Sequence, residues 1–458
     1  MSRSALIISL LLVAALSIVG IALLIAPPAA TAGDTSSLLR LDPSRVASIR
    51  VAESNDASVI TRTDAGGWLI HLESAGANPT APWPAEPTHV RSIVRTLCDL
   101  RDAAASDEPI SQAVEPALTV TITMTGGDTH TVVFGSTPLG GRRLVEVDVR
   151  RTGEVDDAIY RAMTSPGPAS WRISSPLHSV GERTSRVAVR TPGADSGVEL
   201  AKIDGQWFIR QPIQSKASDT AAKELLVSLG ALRIDHFIDD HTSITMTEAG
   251  LDAPRLLCTV EEDRRSYSAS DEQIQTQTTT QTLAIGGPAD LSGRLVYASI
   301  NNGETFAVIN IEPITSVSLA GEAYLAPSAA ETIGSNIGAI AVRIAGQPEA
   351  RYERDIEGWR VLDASGTALG QSPTEPIDAL ITALTQTPAS SLTIEPPESY
   401  RPIASITLSD FAGGQLELLE AGLITTDVGV NAPVIRSGQV FRVYEGSETP
   451  ALLSGGLR

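Results

Sequence analysis

Aromatic residues make up only 4% of this 458-residue chain, and cysteine occurs only twice. Cores with so few rings are filled by Leu, Ile, Val and Ala, which suits several thin two-layer bodies better than one thick core. The length also exceeds one ordinary domain and accommodates three of about 100 to 150 residues. Two cysteines exclude a disulfide-dense scaffold. Cys98 falls on an expected helix and Cys258 on an expected strand of another module. They read as two small buried hydrophobes, with a bridge between modules as the alternative. No cysteine lies near the N-terminus, which excludes a bacterial lipoprotein anchor.

Phosphate-cradling patterns are missing as well: neither G-x-x-x-x-G-K-[ST] nor G-x-G-x-x-G occurs, and Gly126-Gly127-Asp128 and Gly286-Gly287-Pro288 read as hairpin turns. An ATPase of its own is therefore not expected. Positive charge is scarce, with 34 Lys and Arg against 54 Asp and Glu and a formal charge of −20. Nucleic acid is not expected as a partner, because phosphate binding needs clustered basic side chains.

One long hydrophobic run is present. Ala5 to Ile25 is uncharged and apolar, and as a helix it would cover about 30 Å of bilayer hydrocarbon. Arg3 precedes it and Asp34 is the first charge after it, so the positive-inside rule places the N-terminus in the cytoplasm and exports the rest. The reading is a single-pass anchor in the inner membrane with a periplasmic bulk. A cleaved signal peptide ending near Ala30-Thr31-Ala32 is the competitor, although its apolar region would be unusually long.

Beyond that segment, a Trp after a short apolar strand recurs three times, each time followed by an amphipathic helix. In the first copy the strands are Val46 to Val51, Val59 to Arg62 and Trp68-Leu69-Ile70; Val90, Ile93, Val94, Leu97 and Leu100 form a helix face, and Leu118 to Met124, Thr129 to Phe134 and Leu144 to Val149 complete a meander. The second has Arg186 to Val189, Val198 to Ile203, an Asp204-Gly205 turn and Trp207-Phe208-Ile209. A helix from Asp219 follows, with Leu225, Leu226, Leu229 and Leu232 as its buried stripe. Its sheet is interrupted by the polar insert Glu261 to Thr280, read as a mobile hairpin extension. The third has Ile340 to Ile344, Arg351 to Arg354 and Trp359-Arg360-Val361, turned at Glu357-Gly358. Pro376 then opens a helix carrying Ile377, Leu380, Ile381 and Leu384.

The expected fold is α+β: a transmembrane helix, then three tandem modules, each an antiparallel sheet packed by one main helix. The expected boundaries are a cytoplasmic tip at 1–4, the anchor at 5–26, a linker at 27–44, modules at 45–163, 176–320 and 337–446, and a tail at 447–458. Thr164 to Ser170 and Pro327 to Asn336 are the two joints, about which the modules either pack into a stiff rod or flex.

Gly67-Trp68 with the helix face Val90 to Leu100, and Gln206-Trp207 with Pro212, Ala222 to Leu232 and Gly250-Leu251-Asp252-Ala253-Pro254, give the chain a resemblance to the bacterial domain of unknown function 4340 family. The third copy keeps Gly358-Trp359 without the Gly-Leu segment, and the first has only Glu115-Pro116 there, so both are degenerate copies on this reading. The resemblance implies an envelope protein, often encoded beside ABC-transporter or gliding-type membrane components, and implies no activity.

Chemistry-bearing residues give little. His236, Asp239, Asp240 and His241 are four potential metal ligands in one segment, but a spacing of five matches neither a strand face nor a helix turn, so an exposed loop is the expectation. His71, His89, His130 and His178 are scattered and none lies in a G-x-S-x-G elbow. The acidic runs Asp156-Asp157, Asp239-Asp240 and Glu261-Glu262-Asp263 read as solvated turns. Trp68, Trp207 and Trp359 read as packing residues, with an exposed aromatic row that binds a glycan or peptide strand as the alternative. No catalytic, cofactor-binding or metal-binding residue is assigned and no cofactor is expected. The leading expectation is a non-catalytic scaffold for membrane-protein partners; a binding module for a polymer or small ligand and an envelope-polymer hydrolase are the alternatives.

Overall fold

The computed structural model describes residues 37–74, 78–103, 116–194, 196–240, 244–267, 274–363, 365–425 and 431–444. Ala5 to Ile25 lies outside them, and among the described residues no helix is long and apolar enough to cross a membrane. The chain is a sheet-rich, antiparallel α+β protein dividing into two compact units, Met1–Ile173 and Ser174–Arg458.

Three large sheets of eight, nine and nine strands follow one chain path. In each, a meander runs outward from a central strand to the Trp strand and a short edge strand. A helix then crosses back, and a second meander starts beside the first central strand. The central pairs are Val46–Glu53 with Pro116–Met124, Thr184–Arg190 with Leu256–Tyr267, and Ala339–Ile344 with Arg401–Ser409. The crossing helices are α1 (Pro87–Cys98), then, after α2 (Asp157–Thr164) in the first unit, α3 (Asp219–Gly230) and α4 (Thr374–Gln386).

Turn chemistry fixes the register. Asp204 and Gly205 both have positive φ, 48° and 84°, the backbone of a tight hairpin turn whose twist matches that of its strands. Buried positions in the helices recur at three and four residue steps: Val90, Ile93, Val94 and Leu97; Ala222, Leu225 and Leu229; Ile377, Leu380, Ile381 and Leu384. Each fully buried Val, Leu or Ile contributes about 1.5–3 kcal/mol, so one such stripe anchors its helix.

Several expectations are corrected. α1 ends at Cys98, and Leu100 is buried from the strand Asp99–Arg101, paired with Ser37–Arg40. The core of the first unit therefore extends outside 45–163: Leu38 and Leu39 belong to it, and so does Trp171. Ile173 accepts the Trp83 indole N–H at 2.8 Å, just beyond the joint at Thr164 to Ser170. The insert Glu261 to Thr280 is a hairpin extension, as expected, but it does not interrupt the sheet: Leu256–Tyr267 and Ile274–Pro288 stay paired through it from Leu256↔Ile285 to Tyr267↔Ile274. α4 begins at Thr374, two residues before Pro376, which still lies in the first turn where a backbone N–H has no partner to lose.

Gly286-Gly287 is not a hairpin turn. It ends a strand, where Gly287 N–H donates to Ala249 O at 2.7 Å, and a Cβ on Gly250 would sit 2.9 Å from Gly287 N. The Gly-Leu segment is thus pressed backbone to backbone on the sheet, a contact that a side chain would block.

Within the second unit the segment Leu325 to Thr332 is stitched to both sheets. Ala326 N–H donates to Lys216 O, Ala330 N–H to Leu384 O, and Ala389 N–H to Pro327 O. Glu331 and Thr332 N–H both donate to Glu417 Oε2, Ser215 Oγ–H to Glu331 Oε1 and Ser437 Oγ–H to Glu417 Oε1. Arg442, fully buried, donates through Nε to Ala326 O at 3.2 Å, and its other two nitrogens make no hydrogen bond among the described residues. The joint at Pro327 to Asn336 is in this part a polar weld.

Candidate functional site

Beside α3 lies a groove of about 960 Å³. Its floor is Trp207, on the strand Gln206–Gln211, and one wall is the α3 face made by Lys223, Leu226, Val227 and Gly230. Val180, Gly181 and Glu182 form the other wall, with Ala231 and Arg233 at the end. Leu226, read from the sequence as part of the buried stripe, lines this groove instead, and Val227 is 71% exposed. The lining is mainly apolar, yet it carries three cations, Lys202, Lys223 and Arg233, against one acid, Glu182.

That balance runs against a chain with net charge −20. The chain has only three lysines, Lys202, Lys216 and Lys223, and two of them line the groove.

The floor Trp belongs to a recurring arrangement. Trp68, Trp207 and Trp359 are all buried, and the residue directly across the hairpin from each is a cation: Arg62, Lys202 and Arg354. Those cations stand 5.8, 5.9 and 5.8 Å from the ring centroids, within cation–π range.

The helices differ at one matched position. Aligning Ala222, Leu225 and Leu229 with Ile377, Leu380 and Leu384 puts Lys223 of α3 where α4 has Asp378, and α1 has Arg91 there. Asp378 Oδ1 accepts the Trp359 indole N–H at 3.0 Å. The Trp207 indole N–H makes no hydrogen bond among the described residues.

The other sequence candidates do not converge. His236 lies on the strand Arg233–Phe237, not on a loop, with Nδ1 3.0 Å from Asp235 Oδ2; His241 lies outside the described residues. Asp239 and Asp240 are exposed. His71 is 3.5 Å from Glu73, His89 packs on Trp171, His130 is 2.9 Å from Asp148 and His178 meets Gln281. Among the described residues no three His, Cys, Asp or Glu side chains are grouped as a metal site would require.

Two acids read as solvated are buried. Asp157 sits at the start of α2 between Arg143 and Arg161, each 2.7 Å away, and the hydrogen bond from Arg143 leads in holding its carboxyl below the ordinary value. Glu262 is 6% exposed and partnered. Cys98 and Cys258 are free and buried, and burial pushes their thiols up to about 11 and about 12.

The chain is thus an antiparallel α+β protein with a mainly apolar groove that carries three cations. The model of the family described as Domain of unknown function (DUF4340) matches residues 77–254, under half of the chain but including every groove residue. No curated protein matches. Among solved structures, the crystal structure of a DNA polymerase III subunit beta sliding clamp from Bartonella birtlesii aligns at 9% identity over 88% of this chain and 92% of that one, with a TM-score of 0.16, too low to carry an argument.

Proposed function

We propose that the chain is a non-catalytic, membrane-anchored envelope protein, held in the inner membrane by Ala5 to Ile25, that scaffolds a membrane assembly of the ABC-transporter or gliding type. On this reading its three sheets with their helices are tandem, partly degenerate copies of the matched domain. The observation that carries it is the common strand order of the three sheets, with the same Trp and cross-strand cation in each. Repeated modules offer like surfaces to several partners, which is their usual advantage.

The test is crosslinking in cells followed by affinity purification of the full-length chain from solubilised membranes. Recovery of integral membrane proteins, with an intact N-terminal peptide, is the expected result. A chain recovered alone, released from membranes and lacking its N-terminus, overturns both the anchor and the scaffold.

The groove beside α3 favours a second reading, a periplasmic binding module for a small ligand. Its volume falls in the range of small-ligand sites, about 300–1,000 Å³, and its apolar lining with a few placed polar groups is their usual make-up.

A further inference from the structure

We propose that the groove takes an amphiphile with a single carboxylate on an apolar body, the carboxylate accepting the Trp207 indole N–H between Lys202 and Lys223. The inference rests on the second reading above and names its ligand class.

Three observations converge on it. First, the chain supplies its own precedent. In the third sheet the Asp378 carboxylate accepts the indole N–H of Trp359, whose ring also carries a cross-strand cation, Arg354. In the second sheet a Trp at the same place has Lys202 as its cross-strand cation, and the helix offers Lys223 where the acid stands. The donor and two cations are there without the anion, so an incoming carboxylate completes the set.

Second, Lys202, Lys223 and Arg233 face a single acid, Glu182, so the bare groove holds a local excess of positive charge that one anion relieves. Third, Val180, Leu226 and the 71% exposed Val227 give an apolar chain or ring a surface to cover. The overall charge of −20 narrows the choice further: polyanions and anionic bilayers are repelled by the whole molecule, whereas a singly charged amphiphile feels mainly the nearby cations.

The test follows the Trp207 indole directly. The full chain, labelled with ¹⁵N-tryptophan and held in zwitterionic lipid nanodiscs, gives five indole signals, and Trp207→Phe identifies the relevant one. Titration with 4-phenylbutyrate moves that signal downfield to saturation, and the uncharged 4-phenylbutan-1-ol binds at least tenfold more weakly. Lys223→Asp rebuilds the arrangement of the third sheet: the signal starts downfield without ligand and phenylbutyrate affinity falls at least tenfold. Lys223→Gln, which removes only one exposed charge, weakens binding several-fold and serves if the Asp variant does not fold.

Equal affinities for acid and alcohol, or unchanged affinity in both Lys223 variants, leave the groove a binding site but overturn the carboxylate. No response to either compound overturns the small-ligand reading along with it.

Discussion

At the scale of single residues, the neighbours Asp156 and Asp157 differ in kind, Asp157 buried and Asp156 exposed. Asp157 is enclosed by hydrogen bonds from Arg143, itself buried, and Arg161, and Arg143 also donates to Gly135 O and stacks on Tyr160 at 3.6 Å. Removing one partner of such a pair strands the other's charge away from water. Asp157→Ala is therefore expected to cost about 3–5 kcal/mol. Asp156→Ala next door removes only the side-chain cap of α2 and costs about 1 kcal/mol. Urea unfolding of the full chain measures both, and equal losses would refute the distinction. Adjacent acids look alike in a sequence; what makes Asp157 different is Arg143, fourteen positions away and brought alongside by the fold.

At the scale of the element, α3 shows how far periodicity reads and where it stops. Leu225, Leu226, Leu229 and Leu232 all satisfy a helical stripe, yet Leu232 is buried beyond the helix end and Leu226 turns toward the groove. Leu229→Ala is expected to destabilise by about 2–5 kcal/mol, as for other buried leucines. Leu226→Ala, at a groove lining, falls near the surface-mutation range of about 0.5 kcal/mol. A thermal unfolding series showing the two losses equal would place Leu226 in the core after all.

The Trp strands and the helix faces were legible because each repeats a short apolar pattern. The strands Asp99–Arg101, Arg233–Phe237 and Ser391–Thr393 were not, being three to five residues long and recruited by a distant partner strand. The groove was hidden for the same reason. Its wall, floor and cations come from positions 180 to 233, and only the pairing of Lys202 with Trp207 and the crossing of α3 bring them together.

At the scale of the whole molecule, the weld between the second and third sheets is polar, and this gives it a pH dependence. Burial, with Glu331 nearby, raises the Glu417 carboxyl above its ordinary value, and burial pulls Arg442 down while Glu331, Tyr444 and Glu417 hold it up. A carboxyl whose pKa is raised by folding contributes stability that is fully present below its unfolded pKa and is lost as pH rises through the folded one. The second unit of Glu417→Gln, which cannot ionise there, should therefore match wild type most closely near pH 4 and gain on it toward neutral pH. Calorimetry at several pH values checks this; a gap that stays constant or narrows with rising pH would assign the wrong sign to the buried acid.

The two cysteines have a consequence of another kind. One thiol sits in each compact unit, Cys98 on α1 and Cys258 on a central strand, each 1% exposed or less. A thiol that is both enclosed and hard to ionise reacts with neither alkylating agents nor oxidants until the structure around it opens. The chain thus carries a built-in clock in each half: the rate at which each sulfur becomes reactive times the opening of its own unit, without any label to disturb it.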